Sequence, residues 1–126
     1  MLGNTQVVTT IASADLERAG RFYSEALGLS MNMDQEGALF FDAGGGSRLL
    51  VYMRPGHTPP ENTVATFVVG DIQTLVAGLA GRGVVFEQYD FPGLQTDAQG
   101  IAEIEGSSSA WFKDPDGNIL AISQLS

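Results

Sequence analysis

The sequence predicts an α+β fold: two βαβββ units pairing into a curled mixed sheet with a central cleft, and a helix behind each half. Three observations carry this reading. The chain ends in a strong hairpin signal, it opens with a β-rich run followed by an amphipathic helix, and that strand–helix junction recurs 56 positions later.

The hairpin comes first because it is the least ambiguous element. Apolar runs flank Asp114-Pro115-Asp116-Gly117-Asn118, where proline fixes φ near −65° and glycine supplies a positive φ, so the chain must reverse. Strand alternation puts Trp111 and Lys113 on one face and Ala110 and Phe112 on the other. After the turn, Ile119, Ala121 and Ser123 oppose Leu120 and Ile122. One face is fully apolar and the other mixed, which suits either a sheet facing water or the wall of a cavity.

The opening run Gln6 to Ala12 reads as a strand. Asp15 is an apt N-cap, and Leu16, Ala19, Phe22, Tyr23, Ala26 and Leu27 recur at helical spacing up to Gly28. Glu17, Arg21 and Glu25 form four-residue pairs on the opposite, solvated face. Leu29 to Met33, Ala38 to Phe41 and Leu49 to Met53 supply three further strands, and Gly44-Gly45-Gly46 reads as a hairpin turn, since no helix or Gly-Lys-Ser/Thr follows it. Residues 54–62, with three prolines, read as a linker.

The order then restarts. Thr63 to Val69 is a strand, Asp71 caps a helix striped by Ile72, Leu75, Val76 and Leu79, and Val84 to Tyr89 is expected to be the next strand. Asp15 and Asp71 each stand seven residues after a valine, Val8 and Val64. The chain is therefore expected to be one domain, 1–126, with a first unit at about 5–53 and a second at about 63–126. The stretch from Tyr89 to Gly106 is long enough to form a lid; a surface excursion fits it equally well.

Composition bounds the function. At 126 residues the chain can bury one proper core. Fifteen acidic against six basic residues give a formal charge of −9, which opposes nucleic-acid binding. No apolar run is long enough to cross a membrane, and no secretory leader pattern opens the chain, so a cytoplasmic protein without membrane or nucleic-acid partners is expected. The absence of cysteine removes disulfides, thiol nucleophiles and zinc–thiolate sites.

The segment Asp15-Leu16-Glu17-Arg18-Ala19, Phe22-Tyr23, Leu27-Gly28-Leu29 and the segment Trp111 to Leu120 resemble the two signatures of the vicinal oxygen chelate superfamily. That group includes glyoxalase I, bleomycin-resistance proteins, fosfomycin-resistance enzymes and extradiol dioxygenases. The resemblance covers essentially the whole chain and implies the glyoxalase-like doubled fold. It also implies a divalent ion held by His, Glu or Gln from the first and last strands of each unit. Those positions fall at Val8, about Val51, Val64 and Ala121, and alkyl groups cannot coordinate a hard cation. The sole histidine, His57, lies in the linker and reads as a solvated side chain.

With no metal or other cofactor expected, the cleft face is the place for function. It is expected to collect Thr10, Val51, Met53, Thr66, Ala121 and Ser123, flanked by Phe40 and Trp111 from equivalent strands. A mostly apolar lining with two aromatics and a few hydroxyls suits a small organic ligand, aromatic or cationic. The expected function is metal-free small-molecule binding of the bleomycin-resistance type, sequestering an antibiotic or aromatic metabolite without catalysis, and the resemblance implies a homodimer. A lyase or dioxygenase with a displaced metal site, and a structural domain with a filled cleft, are the two rivals.

Overall fold

The computed structural model describes every residue from Met1 to Ser126. The chain forms two compact units, Met1–Thr58 and Pro59–Ser126, and each holds a four-stranded mixed sheet and a helix. This is the expected α+β class.

In the first unit, β1 (Thr9–Ser13) leads through Asp15, whose carboxylate accepts from the Arg18 amide at 3.1 Å, into α1 (Leu16–Arg21). That bond satisfies one of the amides left open at a helix start. The helix then widens into a π turn over Phe22–Ala26, where the Leu27 N–H reaches the Phe22 carbonyl at 3.1 Å. The Ser24 hydroxyl donates to the Gly20 carbonyl at 2.6 Å, a local bond that favours such a distortion. Three strands follow: β2 (Ser30–Gln35), β3 (Ala38–Asp42) and β4 (Arg48–Met53). The spatial order is β1-β4-β3-β2, with β1 parallel to β4 and the other pairs antiparallel.

One face of this sheet packs on the helix. Tyr23, Phe41 and Val51 are wholly buried there, and the Tyr23 and Phe41 rings lie 5.7 Å apart. Burial of each side chain stabilises the unit by roughly 1.5–3 kcal/mol. Glu17 and Arg21 pair at 3.0 Å on the outer face with both side chains exposed, so the pair contributes only tenths of a kcal/mol, as the helical spacing implies.

The second unit repeats the plan. Its strands are β5 (Thr63–Val68), then β6 (Asp90–Phe91) and β7 (Leu94–Gln95) as a small ribbon, β8 (Ile101–Ile104), β9 (Ser107–Lys113) and β10 (Ile119–Gln124). The four-stranded sheet runs β5-β10-β9-β8, with the lone parallel pair again between first and last strands. Helix α2 (Ile72–Gly81) is capped by Asp71, which accepts from the Thr74 amide at 3.2 Å and its hydroxyl at 2.8 Å. Thr74's hydroxyl, then its amide, hold the Asp71 carboxyl below its ordinary value. Ile72, Val76 and Leu79 on the helix and Phe112, Leu120 and Ile122 on the sheet form the core.

Two sequence expectations need correction. Val84 to Tyr89 is no strand; only one bridge, Phe86 to Phe112, forms there, and Ile101–Ile104 completes the sheet instead. The segment expected to be a loose loop therefore contains a ribbon and a strand. Ile101, in the row of Ala110 and Ile122 on the α2 side, and Ala102, in the row of Ser109 and Ser123 on the opposite face, are both buried.

The closing hairpin forms as expected. Asp114 Oδ1 accepts from the Asp116 and Asn118 amides at 2.9 Å each, and Oδ2 accepts from the Asn118 side-chain amide at 2.9 Å. This carboxylate is engaged by the turn itself. Gly117 has φ +87°, and a Cβ there would lie 2.9 Å from Pro59 Cγ.

Candidate functional site

Residues paired across strands share a face, so the ladder registers decide which side chains meet. In the second unit Ala121 pairs with Thr66 on one side and Trp111 on the other, and Ser123 pairs with Ser109. Thr66, Trp111, Ala121 and Ser123 therefore share the face turned away from α2, as the alternation predicts. Trp111 is half-buried, Thr66 exposed, and Ala121 and Ser123 buried. The Ser109 and Ser123 hydroxyls bond each other at 2.7 Å.

An aromatic group builds on this floor. The Glu87 N–H donates to the Trp111 carbonyl at 2.8 Å, which docks the incoming chain on β9. Tyr89 then lies edge-on to Trp111 at 5.5 Å, and Phe91 stacks on Tyr89 at 6.0 Å with 56% of its surface exposed. The Tyr89 amide donates to the Thr96 hydroxyl at 2.9 Å and the Thr96 amide returns a bond to the Tyr89 carbonyl at 3.0 Å, fixing the ribbon's base. Burial, and then the Glu87 carboxylate, push the Tyr89 phenol up, so it stays protonated at neutral pH. A depression of about 400 Å³ opens at the base of the ribbon, lined by Gln88, Tyr89, Asp90, Gln95 and Thr96; Tyr89 is the one ring of the group that borders it.

In the first unit the registers correct the expectation. Thr10 pairs with Leu50, and Leu50 with Phe40; Ile11 pairs with Val51, and Val51 with Leu39. Thr10 and Phe40 thus share the face away from the helix, together with Leu50 and Tyr52. Val51 is wholly buried on the helix side, and Met53, two residues on, has the same parity. Neither Val51 nor Met53 belongs with Thr10 and Phe40. The error is one residue of register in β4, where Leu49-Leu50-Val51-Tyr52-Met53 carries no polar alternation to fix parity. Leu50 and Tyr52 are the residues missed. On the same face the Arg48 guanidinium lies 5.7 Å from the Phe40 ring centre and 3.5 Å from Asp42 Oδ1.

The corrected register moves the implied fourth-strand metal position from Val51 to Leu50, another alkyl side chain. No group of three or more His, Cys, Asp or Glu side chains converges in a way that could hold a metal ion. The donor set at Val8, Leu50, Val64 and Ala121 does not fit a divalent cation, whose lost hydration needs oxygen or imidazole nitrogen in return. Residues 59–126 contain no histidine or cysteine, so the second unit itself supplies no imidazole base for the Ser109 and Ser123 hydroxyls. What the second unit's open face offers is π surface, hydroxyls and an uncharged phenol.

Repeated βαβββ units with identical strand order define a fold on which lyases, dioxygenases and binding proteins are all built. The sequence model of the Glyoxalase/Bleomycin resistance protein/Dioxygenase superfamily matches residues 5–122, and the chain belongs to that superfamily. Among solved structures it is similar to TnmS3, an antibiotic binding protein from Streptomyces sp. CB03234, at 24% identity over 98% of both chains with TM-score 0.68. It is similar to a glyoxalase/bleomycin resistance protein/dioxygenase from Alicyclobacillus acidocaldarius at 17% identity, over 97% of this chain and 92% of that one, with TM-score 0.72. Lactoylglutathione lyase from Agrobacterium tumefaciens is similar at 20% identity, over 95% of this chain and 93% of that one, with TM-score 0.68. At these identities the likeness shows the fold. No curated protein sequence matches the chain.

Proposed function

We propose that this protein binds a small, flat organic molecule without a metal and without turning it over, in the manner of a sequestering resistance protein. The observation that carries the reading is the second unit's open face. There Trp111, Tyr89 and Phe91 form a continuous aromatic group beside small and hydroxyl side chains, while the positions relatives use for a cation are alkyl. Aromatic faces accept flat or cationic ligands, with stacking or cation–π contributions of roughly 0.5–2 kcal/mol each. The antibiotic-binding TnmS3 shares the fold, so a binding role is compatible with it, and it is the alkyl side chains at the cation positions that favour that role over a lyase's. The same reading makes the protein a cytoplasmic homodimer, the dimer resting on the family resemblance and the compartment on the cysteine-free composition.

Trp111 is the sole tryptophan, so the site carries its own reporter. A screen of aromatic and cationic natural products is expected to yield ligands that quench Trp111 fluorescence saturably. The same ligands should raise the melting temperature, since a ligand at 100 times its Kd adds about 2.7 kcal/mol. A broad library with neither effect would favour a face that serves structure alone.

A further inference from the structure

We propose that the first unit carries a separate binding site for a small oxyanion, a carboxylate or phosphate group on a compact molecule, held by Arg54 and His57. The two residues are brought together by a turn that the sequence specifies. In Arg54-Pro55-Gly56-His57, proline occupies the second position and glycine the third, the pattern of a type II turn, which requires a positive φ at its third residue. Gly56 has φ +70°, and the His57 N–H donates to the Arg54 carbonyl at 3.1 Å, closing the turn. The Arg54 N–H donates to the Ser13 carbonyl at 2.8 Å, which fastens the turn to the end of β1. Both side chains therefore start from a fixed platform, and little chain entropy remains to be lost when a ligand bridges them.

Arg54 and His57 border a depression of about 270 Å³ whose other walls are Ala12, Tyr52, Gly56 and Thr58. Ala12 supplies an apolar floor, and the Tyr52 and Thr58 hydroxyls can donate to ligand oxygens. No carboxylate lines it. This matters in a chain of fifteen acidic and six basic residues. Arg21 pairs with Glu17, Arg48 with Asp42 and Lys113 with Glu87. Arg54 is in none of them, and its planar fork of donors matches a carboxylate or phosphate edge.

This inference is independent of the proposed function, because it uses residues of the other unit and a different reporter. As the only histidine, His57 gives a single set of imidazole proton signals. Inorganic phosphate and malonate are titrated separately into the full chain at fixed pH and ionic strength, while the His57 signals are followed by NMR. The expected result is a saturable shift with at least one of the two anions. Phosphate alone would identify a phosphate site and malonate a carboxylate site. Arg54→Gln is expected to weaken that binding about tenfold, the loss of one charge-assisted bond, and Arg82→Gln, at the C-cap of α2, to leave it unchanged. Arg54 is exposed, so its replacement leaves the fold intact, which the remaining amide spectrum verifies. A strictly linear response to both anions, an unchanged Kd in Arg54→Gln, or an equal loss in Arg82→Gln would overturn the proposal.

Discussion

The register of β4 decides which residues of the first unit can meet a ligand, and a pair of threonine substitutions reads it out. Val51 is wholly buried, with Ile11 and Leu39 as its ladder partners. Val51→Thr keeps shape and β-branching but places a hydroxyl among apolar side chains, at a cost of about 2 kcal/mol. Leu50, half-buried on the opposite face, loses only part of its apolar contact in Leu50→Thr, and the new hydroxyl can reach water. That change should cost about 1 kcal/mol or less. For a chain of this size about 4 °C of melting temperature corresponds to 1 kcal/mol. Far-UV circular dichroism melts should therefore show a drop of about 8 °C for Val51→Thr and about half that or less for Leu50→Thr. A larger drop in Leu50→Thr would restore the register read from sequence and return Val51 to the open face.

Three other outcomes follow from the same structure. Gly117→Ala forces a Cβ onto a φ of +87° and to 2.9 Å from Pro59 Cγ, and urea unfolding should show a loss of about 2 kcal/mol or more. Asp71 has its carboxyl held below the ordinary 3.8. Its stabilising effect is therefore complete above that value and lost as pH falls through the lower folded one. Asp71→Asn, which still accepts at the cap but does not titrate, should show a shallower decline of melting temperature below about pH 4. Trp111→Ala should weaken any ligand found in the fluorescence and thermal screens by at least about 1 kcal/mol, measured by calorimetry; unchanged affinity in the folded variant would remove Trp111 from the site.

Much of this molecule is legible in its residues, for identifiable reasons. Asp15 and Asp71 announce their helices because an N-cap is a local, side-chain-to-backbone interaction. The closing hairpin is equally local, since proline, glycine and aspartate fix its turn without help from the rest of the chain. On β10 and β9 the alternation of Ile119, Ala121 and Ser123 with Leu120 and Ile122 fixes parity, and Trp111 and Ser123 land where expected. Non-local pairing is what escapes. Val84 to Tyr89 has strand-like residues, but its distant partner β9 meets it only at the Phe86–Phe112 bridge, while the edge of the sheet is taken by Ile101–Ile104, which the tight Glu105-Gly106 turn pairs with β9. From Leu49 onward β4 is apolar on both faces, and only Arg48 at its start marks the face that Leu50 and Tyr52 share. The aromatic group at Tyr89 and Phe91 depends on a docking bond from Glu87 to Trp111 that local pattern does not reveal.

Metal-free binding depends on alkyl side chains occupying the places where the family resemblance puts a cation. The most direct measurement is the metal content of the protein purified from cells grown with added manganese, iron, nickel and zinc, taken by elemental mass spectrometry alongside ligand titrations with and without EDTA. Far less than one metal ion per chain is expected, with a ligand affinity that EDTA leaves unchanged. A stoichiometric ion, with ligand binding abolished on its removal, would contradict metal-free binding.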